Sequence, residues 1–480
     1  MTRLVVGPFN RVEGDLEVTL EVEGGVVRSA RVCAPMYRGF EQILLGKKAL
    51  DALTLVPRVC GICSVAQSAA AARALASAMG LTAPENGRLA SDLARATESA
   101  ADHLAHFYLF FMPDFAREAY ARRPWFEAIR ARFQAVKGSA AAEALDARAR
   151  LLDLMGLLAG KWPHTLALQP GGTSRAVHRH EKIQLLVALR AFRAFLEERL
   201  FGDALERVAA IDGAAALEAW RGARPPGAGD LRAFLAVAAE LGLERFGRAH
   251  DVFLSFGAFG PEASPWLAPG VFDGELRPLE PAAIREDVSH AWLAGDDARH
   301  PSRGVTRPAP DKAGAYTWCK APRLGGRVVE VGALARQVVA GHPLARDLVA
   351  RGGGNVLSRV VGRLLELARM VPEMERWVGQ LAPNEPFYAA AAPPEDAMGM
   401  GLVEAARGGL GHWIEVRGGR IQGYQIVAPT TWNFSPRDAE GRPGPLEQAL
   451  AGLPSGDAET ALLVQHVVRS FDPCMVCTVH

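Results

Sequence analysis

Apolar residues dominate 3–7, apolar and polar positions alternate over 15–22, and apolar residues recur through 25–33, with Gly24-Gly25 at the junction of the last two stretches. A period of two broken by paired glycines predicts antiparallel strands joined by a tight turn. Pro35 through Gly46 then leads into the loop of the first close cysteine pair. From Ser64 to Met79 the chain is Ala-rich, and from Gly87 to Phe111 apolar residues recur at spacings of three and four before Pro113, so both stretches predict helices. The same periodicity places further helices at 141–159, 180–209, 230–246, 333–350 and 355–371. Pro- and Gly-rich stretches at 222–229, 299–314, 391–394 and 438–444 predict surface loops, and there is no internal repeat. The expected architecture is α+β but mostly α: a long central helix bundle with antiparallel strands at the N-terminus.

Composition narrows the class. The 480 residues are 49% hydrophobic, enough for a large core, and a formal net charge of +1 gives no electrostatic footprint for nucleic acid or an anionic membrane. No apolar run reaches the roughly 20 residues of a bilayer span, and Met1-Thr-Arg-Leu-Val-Val-Gly-Pro lacks the regions of a secretory signal. A cytoplasmic location is the expectation. Six cysteines in a chain of this length suit metal or redox chemistry in a reducing compartment better than a disulfide framework.

Four of those cysteines form two Cys-x-x-Cys pairs near opposite ends, Cys60/Cys63 in Arg58-Val-Cys-Gly-Ile-Cys63 and Cys474/Cys477 in Asp472-Pro-Cys-Met-Val-Cys477, with His480 three residues further on. A thioredoxin-type redox pair needs a βαβ surround, which neither has. A structural zinc site normally spaces its pairs by roughly 15 to 20 residues, far less than here. Ligand softness alone does not choose between zinc, nickel and iron. If the pairs share one metal, the chain's ends meet in one core, so residues 1–480 are expected to form a single interwoven domain.

The flanking residues decide between these. Arg58-x-Cys60-Gly-x-Cys63 with Asp472-Pro-Cys474-x-x-Cys477-x-x-His480 resembles the large subunit of nickel-iron hydrogenases. So do Arg11-Val-Glu13-Gly, Arg38-Gly-Phe-Glu41, Asp102-His103 with His106-Phe-Tyr108, Pro163-His164 before Gly171-Gly172, Tyr316-Thr-Trp318 through Lys320-Ala-Pro322-Arg323, Glu404 through Gly411-His412-Trp413, and Pro429-Thr430-Thr431-Trp432-Asn433. The resemblance covers most of the chain. It implies that Cys60 and Cys474 are terminal nickel ligands while Cys63 and Cys477 bridge to an iron carrying carbonyl and cyanide, at which H2 is split heterolytically. The first proton relay runs from Cys474 to Glu13. Arg323, after Pro322, is expected to face the iron-bound cyanide with Asp102 and Asp472 holding it, while Thr430 hydrogen-bonds the other cyanide. Glu41, the main-chain carbonyl of Ile426 and His480 match a site that usually holds magnesium. In many relatives a short tail beyond this histidine is removed after nickel insertion. The two remaining cysteines, Cys33 and Cys319, are too few for an iron-sulfur cluster, so the resemblance also implies a partner subunit that carries those clusters.

Departures from the family pattern refine the reading. Asp15 stands where the N-terminal motif usually has His, and Gln67 replaces the histidine four positions after the second cysteine. Gln67 cannot titrate near neutral pH. The swap resembles the regulatory, H2-sensing branch, which implies a histidine kinase downstream; the alternative is a cytoplasmic uptake enzyme feeding electrons to respiration. Ile62 and Phe110 stand where many oxygen-sensitive relatives have Val and Leu lining the gas tunnel, which implies a narrowed path and oxygen tolerance. Of a different class are a non-enzymatic structural subunit on the same scaffold and a zinc-binding protein.

Overall fold

The structure is a computed structural model that describes residues 2–478 and 480. Strand β1 (Thr2–Val6) pairs antiparallel with β2 (Glu17–Glu23), and β2 with β3 (Val26–Cys33). The alternation read from the sequence buries Val18 and Leu20 on one face, and Gly24 and Gly25 both take positive φ in the turn, a conformation that costs glycine little.

The helical body follows. Helix α1 spans Ser64–Met79, α2 Glu85–Ala105, α3 Ser139–Ala159, α4 Arg179–Phe195, α5 Asp230–Leu241, α6 Ala333–Val339 and α7 Val356–Gln380. Helix α2 continues as a π-helical turn over His106–Phe111, and it packs against both α3 and α7. Three expected helices are broken: 230–246 ends before Gly242 (φ 65°) and resumes only as the 3-10 turn Leu243–Arg245. The stretch 333–350 divides at Gly341 (φ 82°) and restarts with Pro343 at the first position of a new helix, and 180–209 divides at a π-helical turn over Leu196–Phe201. Conversely, α7 runs through Pro372 to Gln380, because burial of Val371, Met374, Trp377 and Val378 outweighs the one backbone hydrogen bond that proline removes.

The pattern missed a three-stranded antiparallel sheet of β4 (Ala397–Ala405), β5 (Gly408–Arg417) and β6 (Arg420–Val427), and the helix α8 (Ala458–Ser470). Strand β4 lies on the alanine face of α1. A Cβ at Gly399 or Gly401 would come within 2.0 and 2.1 Å of the carbonyl oxygens of Ala74 and Ala70, so only glycine permits this approach. The result brings the start of α1, directly after Cys63, alongside the β4–β5 turn at Ala406-Arg407.

Candidate metal centre

Each cysteine pair is delivered by a short, heavily braced segment. Cys60 follows the 3-10 turn Val56–Val59, whose carbonyls at Arg58 and Val59 accept from the Arg38 guanidinium. Cys63 precedes α1, and the N–H groups of that helix start, which lack intrahelical partners, are satisfied by the buried carboxylate of Glu98, which accepts from Val65 and Ala66 at 2.9 Å each. At the other end, α8 is anchored where Arg469 bonds Asp114 and the main chain of Asn10, and where Arg363 donates to the Ser470 carbonyl at 2.5 Å. The main-chain N–H of Met475 donates to the Glu13 carbonyl at 2.6 Å, so the Glu13 segment lies directly along the Cys474 loop. Gly14 makes this possible: its Cβ would meet the main chain and side chain of Val476 at 2.9 Å.

The outcome is a cradle of four buried sulfurs, all within 4.8 Å of one another. Cys60 and Cys474 Sγ lie 3.4 Å apart, Cys63 and Cys477 3.2 Å, and Cys474 and Cys477 3.0 Å. Contacts from Cys474, then Cys477 and Cys63, hold Cys60 well below the ordinary thiol range, while Cys63 and Cys477 are pushed up. A thiolate stabilised by three neighbouring thiol protons is the arrangement that soft cations would replace.

One guanidinium overlooks this cradle, and it is not the expected one. Arg407, in the β4–β5 turn, donates from Nε to the Asp472 carbonyl at 2.9 Å, and its Nη2 lies 3.1 Å from Asp472 Oδ1 and 2.9 Å from Asp102 Oδ1. Arg323 sits elsewhere, donating to Asp438 at 2.8 Å, Ser435 at 3.1 Å and the carbonyls of Pro322 and Pro436. The assignment of Arg323, with Pro322 before it, to the pair Asp102 and Asp472 is therefore corrected to Arg407, with Ala406 before it. Strand Ala321–Leu324 pairs with Ile284–Asp287 and turns its arginine toward the 435–442 loop instead. Burial raises Asp102 well above the ordinary carboxylate range, whereas Arg407 overcomes burial at Asp472 and lowers it. Arg407 Nη1, Asp102 Oδ2, Asp472 Oδ2 and Gln67 Nε2 are buried without hydrogen-bond partners, and Asp102 Oδ1 meets only the Arg407 ion pair. Such a concentration of unsatisfied polar atoms around four sulfurs fits a bound group that carries acceptors of its own.

The remaining expected residues divide as follows. Glu13 is half-buried, and burial followed by the Cys60 charge raises its carboxyl. Thr430 Oγ1 accepts from the Cys474 N–H at 3.1 Å, which leaves its hydroxyl proton to donate. Gln67 Oε1 lies 2.9 Å from His412 Nε2, and His412 Nδ1 lies 2.9 Å from the Tyr424 hydroxyl. Glu41, Ile426 and His480 do converge: His480 Nε2 is 2.6 Å from the Ile426 carbonyl and 3.4 Å from Glu41 Oε1. Lys320, Gln425, Thr306 and Glu286 complete that pocket, a set not read from the sequence. Burial alone would raise Glu41, but the Lys320 ammonium and then His480 bring it down to about 2. A carboxylate, a carbonyl and an imidazole, with Glu286 Oε1 left unpartnered, suit a hydrated hard cation. Ile62 and Phe110 are half-buried, and Phe110 gives its carbonyl to Arg11 at 3.0 Å. Arg407, Glu98 and Lys320 each lie inside or near quoted motifs, but no spacing rule singles them out.

Family-model comparison matches the nickel-dependent hydrogenases over residues 38–122 and 139–480. The chain belongs to that family. It is the large subunit of a nickel-iron or nickel-iron-selenium hydrogenase, an oxidoreductase acting on H2 that assembles with a small subunit. It is 28% identical to the periplasmic [NiFeSe] hydrogenase large subunit of Desulfomicrobium baculatum over 100% of this chain and 95% of that protein. It is 26% identical to the Hydrogenase-2 large chain of Escherichia coli K12 over 100% and 97%. The solved Ni-Fe-Se hydrogenase of D. vulgaris Hildenborough in its reduced state superposes with a TM-score of 0.84 at 30% identity, covering all of both chains. The mostly helical fold with small antiparallel sheets is thus the hydrogenase large-subunit fold, and the zinc-only and non-enzymatic alternatives give way. No helix among the described residues is long and apolar enough to cross a membrane.

Proposed function

We propose that this hydrogenase subunit is a regulatory one that reports H2 to a histidine kinase rather than supplying bulk electrons. The observation that carries the reading is Gln67. Its side chain pairs with His412, whose pKa burial lowers to about 3, so neither group takes up a proton near neutral pH beside the helix that follows Cys63. A centre that lacks a proton-exchanging side chain at this one position is suited to slow turnover. The bound Ni-Fe centre, with carbonyl and cyanide on iron, supplies the polarisation that makes H2 acidic. Around it the chain's own residues would act: Cys60, Cys63, Cys474 and Cys477 would hold the metals, Arg407, steadied by Asp102 and Asp472, would donate to a cyanide, and the Thr430 hydroxyl would donate to the other. Glu13 carries the proton outward from Cys474. Magnesium at Glu41, Ile426 and His480 clamps the C-terminal segment. Electrons leave through iron-sulfur clusters in the small subunit, because Cys33 and Cys319 cannot build one. Ile62 and Phe110 narrow gas access and confer oxygen tolerance. The chain works as one interwoven unit in the cytoplasm.

The second reading, an uptake enzyme feeding respiration, is favoured by the relatives themselves. One similar protein is named the uptake hydrogenase large subunit of Bradyrhizobium diazoefficiens, 27% identical over the whole chain. The test reconstitutes the large and small subunits with the candidate kinase and measures autophosphorylation under H2 and under argon. A change in kinase labelling with slow H2 oxidation supports the sensor. Rapid H2 oxidation with labelling indifferent to the gas supports the uptake enzyme.

A further inference from the structure

Arg407 occupies a two-residue turn, which of itself leaves a long side chain free to wander. Its backbone is pinned from behind by a second arginine. Arg336, on α6 and 1% exposed, uses its whole guanidinium: Nε and Nη2 donate to Glu366 at 2.9 and 2.6 Å, and Nη1 to Glu404 at 2.8 Å. The same Nη1 donates to the Ala405 carbonyl at 2.8 Å, and Nη2 to the Ala406 carbonyl at 2.9 Å. Those are the two peptide carbonyls immediately before Arg407. The anchor is itself tied to the opposite carboxylate, since Glu366 on α7 also bonds His103 Nε2 at 3.0 Å, and His103 follows Asp102 on α2. Gln337 fills another Glu366 site at 3.0 Å, and Glu404 Oε1 accepts the Phe256 N–H at 2.7 Å.

We propose that Arg336, braced by Glu366, is a positioning residue that sets the reach of Arg407 over the cysteine cradle. One rigid frame fixes both ends of the Arg407–Asp102 contact, the turn through Ala405 and Ala406 and the helix through His103. A planar fork is required, since a lysine offers three donors from a single point and cannot serve two carboxylates and two carbonyls at once. The inference rests on the proposed role of Arg407 and extends it to a residue that touches neither sulfur nor substrate.

The test is a double-mutant cycle in the assembled heterodimer with Arg336→Lys and Arg407→Lys. It reads metal content, the infrared carbonyl and cyanide bands, H/D exchange and thermal midpoint. Arg336→Lys is expected to keep nickel and iron, to shift the cyanide bands, and to slow H/D exchange about 100-fold, the scale of an ångström-level misplacement. Arg407→Lys is expected to shift the same bands, and adding Arg336→Lys to it should cost no further rate. Additive losses, or unshifted bands in a metal-loaded Arg336→Lys protein of lowered midpoint, would show a purely structural arginine and overturn the proposal. If Arg407→Lys itself leaves bands and rate unchanged, the reading of Arg407 falls first and the inference with it. Should Arg336→Lys not fold, Glu404→Gln, which loosens one side of the fork while keeping its volume, must move the cyanide bands in the same direction; unmoved bands reject the frame.

Discussion

Arg407 Nε donates to the main-chain carbonyl of Asp472 at 2.9 Å, tying the β4–β5 turn to the residue two positions before Cys474. That bond separates Arg407 from Arg323, whose guanidinium is fully engaged with Asp438, Ser435 and nearby carbonyls. Arg407→Lys is expected to lower H2-dependent H/D exchange by about two orders of magnitude with nickel and iron retained. Arg323→Lys is expected to leave the rate within a few-fold and to act on stability instead. Parallel assays with thermal melts check the pair; equal loss of rate from both would restore Arg323 to the site.

Glu13 lies along the Cys474 loop through its main chain and carries a carboxyl raised by burial and by Cys60. Glu13→Gln keeps the shape and removes the transferable proton. H/D exchange should fall at least about 100-fold, within the range of lost general acid–base catalysis, while the metal content is unchanged. Retained exchange would move the relay to another group.

Ile62 and Phe110 are half-buried on the segments that carry Cys63 and Arg11's carbonyl partner. The double change Ile62→Val and Phe110→Leu removes side-chain volume from the proposed gas path. Inactivation under oxygen should quicken several-fold while the H2 affinity changes little. An unchanged inactivation rate would count against a steric filter.

His466 offers a pH test remote from the metals. It is fully buried, stacks on Phe115 with ring centroids 4.4 Å apart, and its Nε2 lies 2.8 Å from the Tyr120 hydroxyl. The groups facing it also include Asp114, Arg469, Arg117 and Arg11. Burial lowers its pKa to about 4, against roughly 6.5 in an unfolded chain. Between those values the unfolded chain binds a proton that the native one refuses, so this contribution to stability is complete above about pH 6.5 and is lost as pH falls toward 4. The slope is at most about 1.4 kcal/mol per pH unit. His466→Phe removes it, so the stability gap between wild type and variant should narrow on acidification across that window. A gap that stays constant in denaturant titrations at several pH values would contradict a neutral buried imidazole.

The sequence made the cysteine cradle legible because its ligands announce themselves by type and spacing, and the three N-terminal strands by their period of two. It hid the β4–β6 sheet for the same reason the sheet works. Gly399 and Gly401 are poor strand formers, chosen here by the closeness of α1 rather than by β propensity. It also misplaced the key guanidinium: Lys320-Ala-Pro322-Arg323 and Glu404-Ala-Ala406-Arg407 both end in an arginine after two small or cyclic residues, and only the fold says which one reaches Asp102 and Asp472. Arg336 was invisible because it acts through backbone carbonyls, and Glu366 because it acts through Arg336 and His103, roles that no motif records.

The central claim is that the two ends of the chain grip one nickel and one iron. Metal analysis of the purified heterodimer beside a Cys60→Ser, Cys474→Ser variant tests it most directly, with the iron of the small subunit counted separately. The expected result is about one nickel per large subunit with infrared bands for carbonyl and cyanide, both lost in the variant. Zinc alone in the wild type, or nickel and the infrared bands undiminished in the variant, would contradict it.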